Sequence, residues 1–169
     1  MRVSGQAENQ AEAMANLLTL AVPLILMMVG AVALVFNSFR MSFLIMAIGG
    51  MSVGLAFGGV WMFNLPMGFN AVVGALGLLG IAINGTIVVL SLLQGSEAAR
   101  NDDVLAQREI VVAATRHIVA TTLTTMGGFV PIILTGDVFW LPLASAIAGG
   151  VAGSALLALY FAPAMYRLM

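Results

Sequence analysis

Five apolar stretches, roughly residues 16–37, 41–63, 71–93, 117–135 and 140–165, fill most of this 169-residue chain, and none contains a Lys, Asp or Glu. A helix needs about 20 mostly apolar residues, at 1.5 Å rise each, to cross a hydrocarbon core ~30 Å thick. All five stretches meet or approach that length. Helices that are apolar all round have no face to show water. The sequence therefore predicts an all-α, polytopic membrane helix bundle of five transmembrane helices, with the lipid bilayer as its solvent.

Composition narrows the chemistry. Apolar residues make up 62% of the chain and charged residues 8%, against ~45–50% and ~25% in soluble domains. There is no cysteine, which removes disulfides, thiolate metal sites and cysteine nucleophiles. One histidine cannot build a His-based metal site, and no carboxylate pair lies within a span. No G-x-x-x-x-G-K-[ST] loop is present, so nucleotide binding of that kind is excluded. A net charge of −1 argues against a nucleic-acid surface. No cofactor, metal or enzymatic reaction is predicted. Residues 1–15 are polar and mildly acidic and lead directly into a full-length span, so they read as a lead-in segment rather than a cleavable signal.

The arginines orient the chain. Lysine is absent, and five of the six arginines (Arg40, Arg100, Arg108, Arg116 and Arg167) fall in hinges 38–40 and 94–116 or after the fifth span. Only Arg2 falls on the other side. The excess of positive charge on cytoplasmic loops puts those hinges and the C-terminus in the cytoplasm. The N-terminus and hinges 64–70 and 136–139 then face outward. Hinge 94–116 is the one substantial polar segment. Asp102 or Asp103 would cap a helix there, with Val104, Leu105, Ile110, Val111 and Ala114 on one face. Two arrangements stay open: an amphipathic helix lying on the cytoplasmic membrane surface, or a linker continuing into the fourth span.

Small residues at fourfold spacing let helix backbones approach closely. Gly54-x-x-x-Gly58 and Gly149-x-x-x-Gly153 have that spacing and are the expected packing seams, with Gly74, Gly77 and Gly80 along the third span. Polar side chains inside spans are costly and so become site candidates. Asn84 stands near the middle of the third span. Thr121, Thr124 and Thr125 share a face of the fourth by the i, i+3, i+4 rule, and an Asn carboxamide opposite them would make an interhelical hydrogen bond. Threonines in spans commonly bond back to their own helix, and Asn84 could equally fix helix register. His117 beside Arg116 reads as an interfacial anchor. Pro23, Pro131, Pro142 and Pro163 mark kinks or helix ends.

Several of these runs together resemble one family. Val35-Phe36-Asn37-Ser38-Phe39-Arg40 is similar to the "Y/F-x-S-F/W" junction of the resistance-nodulation-division (RND) efflux transporters, and Gly77–Ser91 to their "GLxGxxxxNxIxLxxF" helix. Arg116–Pro131, RHIVATTLTTMGGFVP, resembles "RPIxxTTxTTxxGxxP", with His117 where Pro is usual. Gly149-Gly150, Ser154 and the ending YFAPAMYRL resemble "GGxxxSTxLxLxxxPxxY". The resemblance covers nearly the whole chain. It implies the last five of twelve membrane helices of a permease of the bacterial inner membrane that exports drugs, lipophiles or metal ions in exchange for protons. It implies as partners an N-terminal half of the permease, further copies in a homotrimer, a periplasmic adaptor and an outer-membrane channel. In many members the proton site pairs two aspartates from the first half with a lysine from the second. That lysine position falls at Asn84, and Arg116 and Thr121 match the Arg and Thr of the neighbouring helix. These three are the proton-pathway candidates. Asparagine cannot change charge as an ammonium can, so a second expectation stands beside the first: a truncated, non-transporting membrane module or accessory subunit. An unrelated small channel finds no charged ring or wide polar face to support it.

Overall fold

A computed structural model describes residues 2–101 and 103–168, with side chains from Glu8 onward. Seven α-helices and one π-helical turn follow in order: α1 Arg2–Phe36, α2 Phe39–Met62, α3 Phe69–Gly95, α4 Glu97–Arg100, α5 Val104–Thr135, α6 Leu141–Leu156, the π turn Leu157–Phe161 and α7 Ala162–Tyr166. No strand occurs among the described residues. Five stretches are long and apolar enough to cross a membrane: Glu8–Phe36, Phe39–Met62, Phe69–Gly95, Val104–Thr135 and the continuous Leu141–Tyr166. The chain is thus all-helical and multi-pass.

The chain divides into two compact units, one ending at Ser42 and the other beginning at Phe43. The first unit holds α1 and the opening turn of α2. Residues 2–15, expected as a lead-in, are already helical in α1. At 35 residues and 1.5 Å per residue, α1 is about 50 Å long, more than a hydrocarbon core requires. The helix stops because Asn37 turns to φ 45°, the left-handed region that Asn tolerates better than other non-glycine residues. Ser38 then starts α2. Its Oγ accepts from the Met41 N–H at 3.5 Å, and its carbonyl accepts from the Ser42 hydroxyl at 3.0 Å. The Asn-Ser pair is a helix stop followed by an N-cap, which gives the junction motif a mechanical reason.

The second unit packs α2, from Phe43 onward, together with α3, α5 and the α6–α7 span. The α6–α7 span is central, with 61% of its apolar window buried against 6% for α5. Most of its buried residues are small (Ala144, Ser145, Ala146, Ala148, Gly150 and Ser154), with Pro142, Ile147 and Val151 among them. Ala146, Ile147 and Val151 join Ala56 and Val60 of α2 and Ala71, Ala75 and Leu78 of α3 in one core. Without a hydrophobic drive between helices in lipid, such close van der Waals packing holds a bundle together. Backbones approach closely where Gly59 meets Gly149, whose added Cβ would lie 2.9 Å from the Gly59 Cα. A Cβ on Gly153 would lie 2.5 Å from Leu55 Cδ1, and one on Gly74 would lie 2.9 Å from the Leu143 carbonyl oxygen.

Gly149 and Gly153 stand at this seam, and its α2 side is Leu55 and Gly59. Gly54 and Gly58 face open space, with nothing within 4 Å of a Cβ built on either. One residue is ~100° of helix rotation, and α2 is apolar on every face, so fourfold spacing alone could not say which of two adjacent stripes meets α6.

Polar caps set the remaining ends. Ser96 caps α4, accepting from the Ala99 N–H at 3.3 Å. Asp103 caps α5, accepting from Leu105 N–H at 2.9 Å and Ala106 N–H at 3.4 Å; Asp102, the other expected cap, lies outside the described residues. Residues 104–116 run without a break into the fourth span, as one helix Val104–Thr135. The buried positions at this end are Gln107, Ala114 and Ile118, while Val104 and Leu105 are exposed. Gln107 Nε2 donates to the Ala99 carbonyl at 2.9 Å and ties α5 back to α4. At the far end α5 stops at Gly136, whose φ of 65° is left-handed, and Asp137 accepts from the Phe139 N–H at 2.9 Å. Asn70, at the start of α3, donates its Nδ2–H to the Phe139 carbonyl and so ties α3 to this turn.

Candidate functional site

A narrow cleft opens where α3, α5 and the α6–π span meet. Its walls are Ile81, Asn84, Gly85 and Val88 from α3; His117, Ile118, Thr121, Thr122 and Thr125 from α5; and Val151, Ser154, Ala155 and Ala158 from the last span. The cavity volume is ≈ 60 Å³. A water needs about 10–15 Å³ of such space and two to four polar partners, so the cleft has room for a short file of waters.

Each wall has a local cause. Gly85 stands beside Asn84 and keeps that stretch of α3 free of bulk. On α5, residues 117, 121 and 125 stack on one face because they are four apart. On the last span the π turn follows Ser154 and contains Ala158. Pro163 lacks an N–H, and in a regular α-helix its ring would press on the carbonyl of residue 159. The preceding turn widens, and the Ala162 N–H bonds to the Leu157 carbonyl five residues back. Widened turns of this kind recur beside functional sites.

The hydrogen bonds differ from the expected pattern. Thr121 donates within its own helix, to the His117 and Ile118 carbonyls at 3.1 and 2.9 Å. Thr124 donates to Ala120 at 2.8 Å and Thr125 to Thr121 at 2.8 Å. Ser154 donates to Val151 at 2.9 Å and the buried Thr86 to Ala82 at 3.1 Å. None of these bonds joins Asn84 to the threonines. A hydroxyl that has spent its proton on a backbone carbonyl keeps lone pairs and serves the cleft as an acceptor only. The exposed Asn84 carboxamide supplies two donors and an acceptor. Donors on one wall and acceptors on the other suit bridging water better than direct contact.

Of the three proton-pathway candidates, the structure brings Asn84 and Thr121 into this cleft. Arg116 is ~100° further round α5 and lies on a separate open surface with Val112, Thr115, Val119, Ala120 and Leu123. Thr124 lies outside the cleft as well. His117 does line it, which sequence reading as an interfacial anchor did not anticipate. Ser154 was missed too, although its place in the motif after Gly149-Gly150 was a signal. No titratable side chain other than His117 lines the cleft.

Comparison with known proteins identifies the family. The cobalt-zinc-cadmium resistance protein CzcA of Cupriavidus metallidurans is 31% identical over 112 residues, covering 64% of this chain and 10% of that protein. The multidrug resistance protein MdtC of Pantoea ananatis is 36% identical over 115 residues, covering 64% of this chain and 11% of that protein. MdtC of Photorhabdus laumondii is 32% identical over 111 residues, 62% of this chain and 10% of that protein. The chain spans about a tenth of the length of these curated relatives. The model of the AcrB/AcrD/AcrF family matches residues 1–169. With that match along its whole length, and with five apolar helices of spanning length, the chain belongs to the AcrB/AcrD/AcrF family of RND permeases.

Proposed function

We propose that this chain supplies part of the proton-translocating membrane domain of an efflux permease in the bacterial inner membrane. The observation that carries the reading is the polar cleft between α3, α5 and α6, in which Asn84 and Thr121 share a space large enough for several waters. Family membership supports efflux transport, which we read as secondary transport, and the relatives' names point to metal ions or drugs as the exported substrates. The N-terminus is periplasmic and the C-terminus cytoplasmic in this reading, following the arginine count. The partners are the other membrane helices of the permease, two further copies in a trimer, a periplasmic adaptor and an outer-membrane channel.

Asn84, Arg116 and Thr121 take different parts. Asn84 and Thr121 hold water in the cleft, and Arg116 holds a positive charge at the cytoplasmic border, on the neighbouring face of α5. Proton entry changes the charge balance in the membrane domain, and the helices respond by rocking between two arrangements, as alternating-access transporters do. The test is efflux and proton uptake in cells expressing the gene that encodes this chain, with Asn84→Ala and Thr121→Ala. Both variants are expected to slow the two fluxes together. Unchanged fluxes in both would overturn the assignment.

The neutrality of Asn84 favours a second reading, a non-transporting module that assembles with a complete permease. That reading predicts that the tagged chain co-purifies with a second permease. Purification with no permease partner counts against it.

A further inference from the structure

The cleft contains a titratable group that the proposed function leaves without a task. We infer that His117 is the proton-binding group of this cleft, taking up a proton at its cytoplasmic end and passing it to water held against Asn84, Thr121 and Ser154. The inference rests on the reading of the chain as part of a proton-coupled permease and names the residue that carries the proton there.

Elimination along the walls leads to it. Asn84 is neutral in every state, as are the hydroxyls of Thr121, Thr122, Thr125 and Ser154, and those of Thr121, Thr125 and Ser154 are committed to backbone carbonyls. No carboxylate, lysine or arginine lines the cleft. The elements packed around α5 add none. Neither α3 nor α6 carries a charged or titratable side chain. The π turn has Tyr160, which is exposed and outside the cleft. Tyr166 and Arg167 lie at the end of the last span, and α4 carries Glu97 and Arg100. On α5 itself Asp103, Arg108 and Glu109 precede His117 by two helical turns or more, and Arg116 points to the adjoining face. Histidine is the side chain whose ordinary charge change falls between about pH 5 and 8.

Position suits the task. Thr121 and Thr125 lie about 6 and 12 Å further along α5 than His117, so the imidazole stands at one end of a polar file. An imidazole nitrogen lone pair accepts a proton from water at that end, giving an imidazolium with two N–H donors. Loss of a proton to a cleft water restores the neutral ring, so one proton enters and one leaves.

The whole chain in phospholipid nanodiscs gives the first test. It contains one histidine, so its ¹⁵N-imidazole signal needs no assignment, and the Asn84 carboxamide is assigned by its loss in Asn84→Gln. The Asn84 signal is expected to move with pH at the same midpoint as the imidazole, and to be flat in His117→Gln and His117→Asn. A flat Asn84 signal in the native chain, or a response that persists in these variants, overturns the inference. The second test is efflux in cells expressing the gene. His117→Ala is expected to slow proton-driven efflux about tenfold or more, within the usual contribution of a proton-transfer group. Added imidazole should restore it, which a merely structural role for His117 would not allow. Native efflux with no loss in His117→Ala refutes the inference alone. No efflux from the native gene refutes the transport reading, and the nanodisc titration still decides the fate of His117.

Discussion

Replacing one glycine at a time across the α2–α6 seam separates contact from coincidence. A Cβ on Gly149 lies 2.9 Å from the Gly59 Cα, whereas a Cβ on Gly58 meets nothing within 4 Å. Ordinary carbon contacts are about 3.5–4.0 Å, so Gly149→Ala forces the two backbones apart by at least about 0.5 Å. Neither partner can yield by rotating a side chain, because both contacts are main chain. A gap of about 0.5–1 Å forfeits a quarter to a half of each pair's attraction of ~0.1–0.2 kcal/mol. With about 20 such pairs along the seam, the loss is about 0.5–2 kcal/mol. Both substitutions gain the same helix propensity, up to ~1 kcal/mol, and that gain cancels in the comparison. Gly149→Ala should therefore be less stable than Gly58→Ala by about 0.5–2 kcal/mol, roughly 2- to 30-fold in the unfolding constant. Equilibrium unfolding in mixed micelles, followed by circular dichroism, reads the difference as a midpoint shift. Equal midpoints for the two variants would refute the seam as described.

Other outcomes follow from single bonds. Gln107→Leu leaves the Ala99 carbonyl without its partner and should cost about 1–3 kcal/mol, seen as faster hydrogen exchange over residues 96–107. Asp103→Ala removes the α5 cap, worth about 1 kcal/mol, and should fray Val104–Gln107 while leaving the far end of α5 unchanged. Thr121→Val should slow proton-coupled efflux, while Thr124→Val, outside the cleft and bonded to its own helix, should not; equal effects would remove the cleft from the pathway.

How much of this was legible before the fold was seen depended on the kind of signal. The number of spanning helices followed from apolar length, because lipid sets that length physically. Helix ends were readable where a polar residue has one job to do, as Asp103 does. Facial phase was not readable. A helix surrounded by lipid and apolar neighbours carries no polar stripe to fix its rotation, so Gly54 and Gly58 looked the same as Gly59 in the sequence. The expected bond from Asn84 to the threonines failed for a related reason. Each threonine hydroxyl finds a carbonyl four residues back at no entropic cost across helices, and Asn84 is left facing the cleft. Nothing in the sequence assigned Gln107 a role, and only the packing of α4 against α5 shows what it holds. The facing of His117 could not be known until α3 and the last span closed around it.

The π turn also bears on the small residues of the last span. Ala146, Gly150, Ser154, Ala158 and Ala162 recur every fourth position, and all are buried. In an unbroken α-helix a four-residue step overshoots a full turn by about 40°, so four such steps would carry the row about 160° round the axis. The extra residue held in Leu157–Phe161 takes back about 100° of that drift. About 60° of drift remains, so the small buried side chains keep to one side of the last span over about 24 Å, and at Gly150 that side lets Leu78 of α3 and Ala56 of α2 come close.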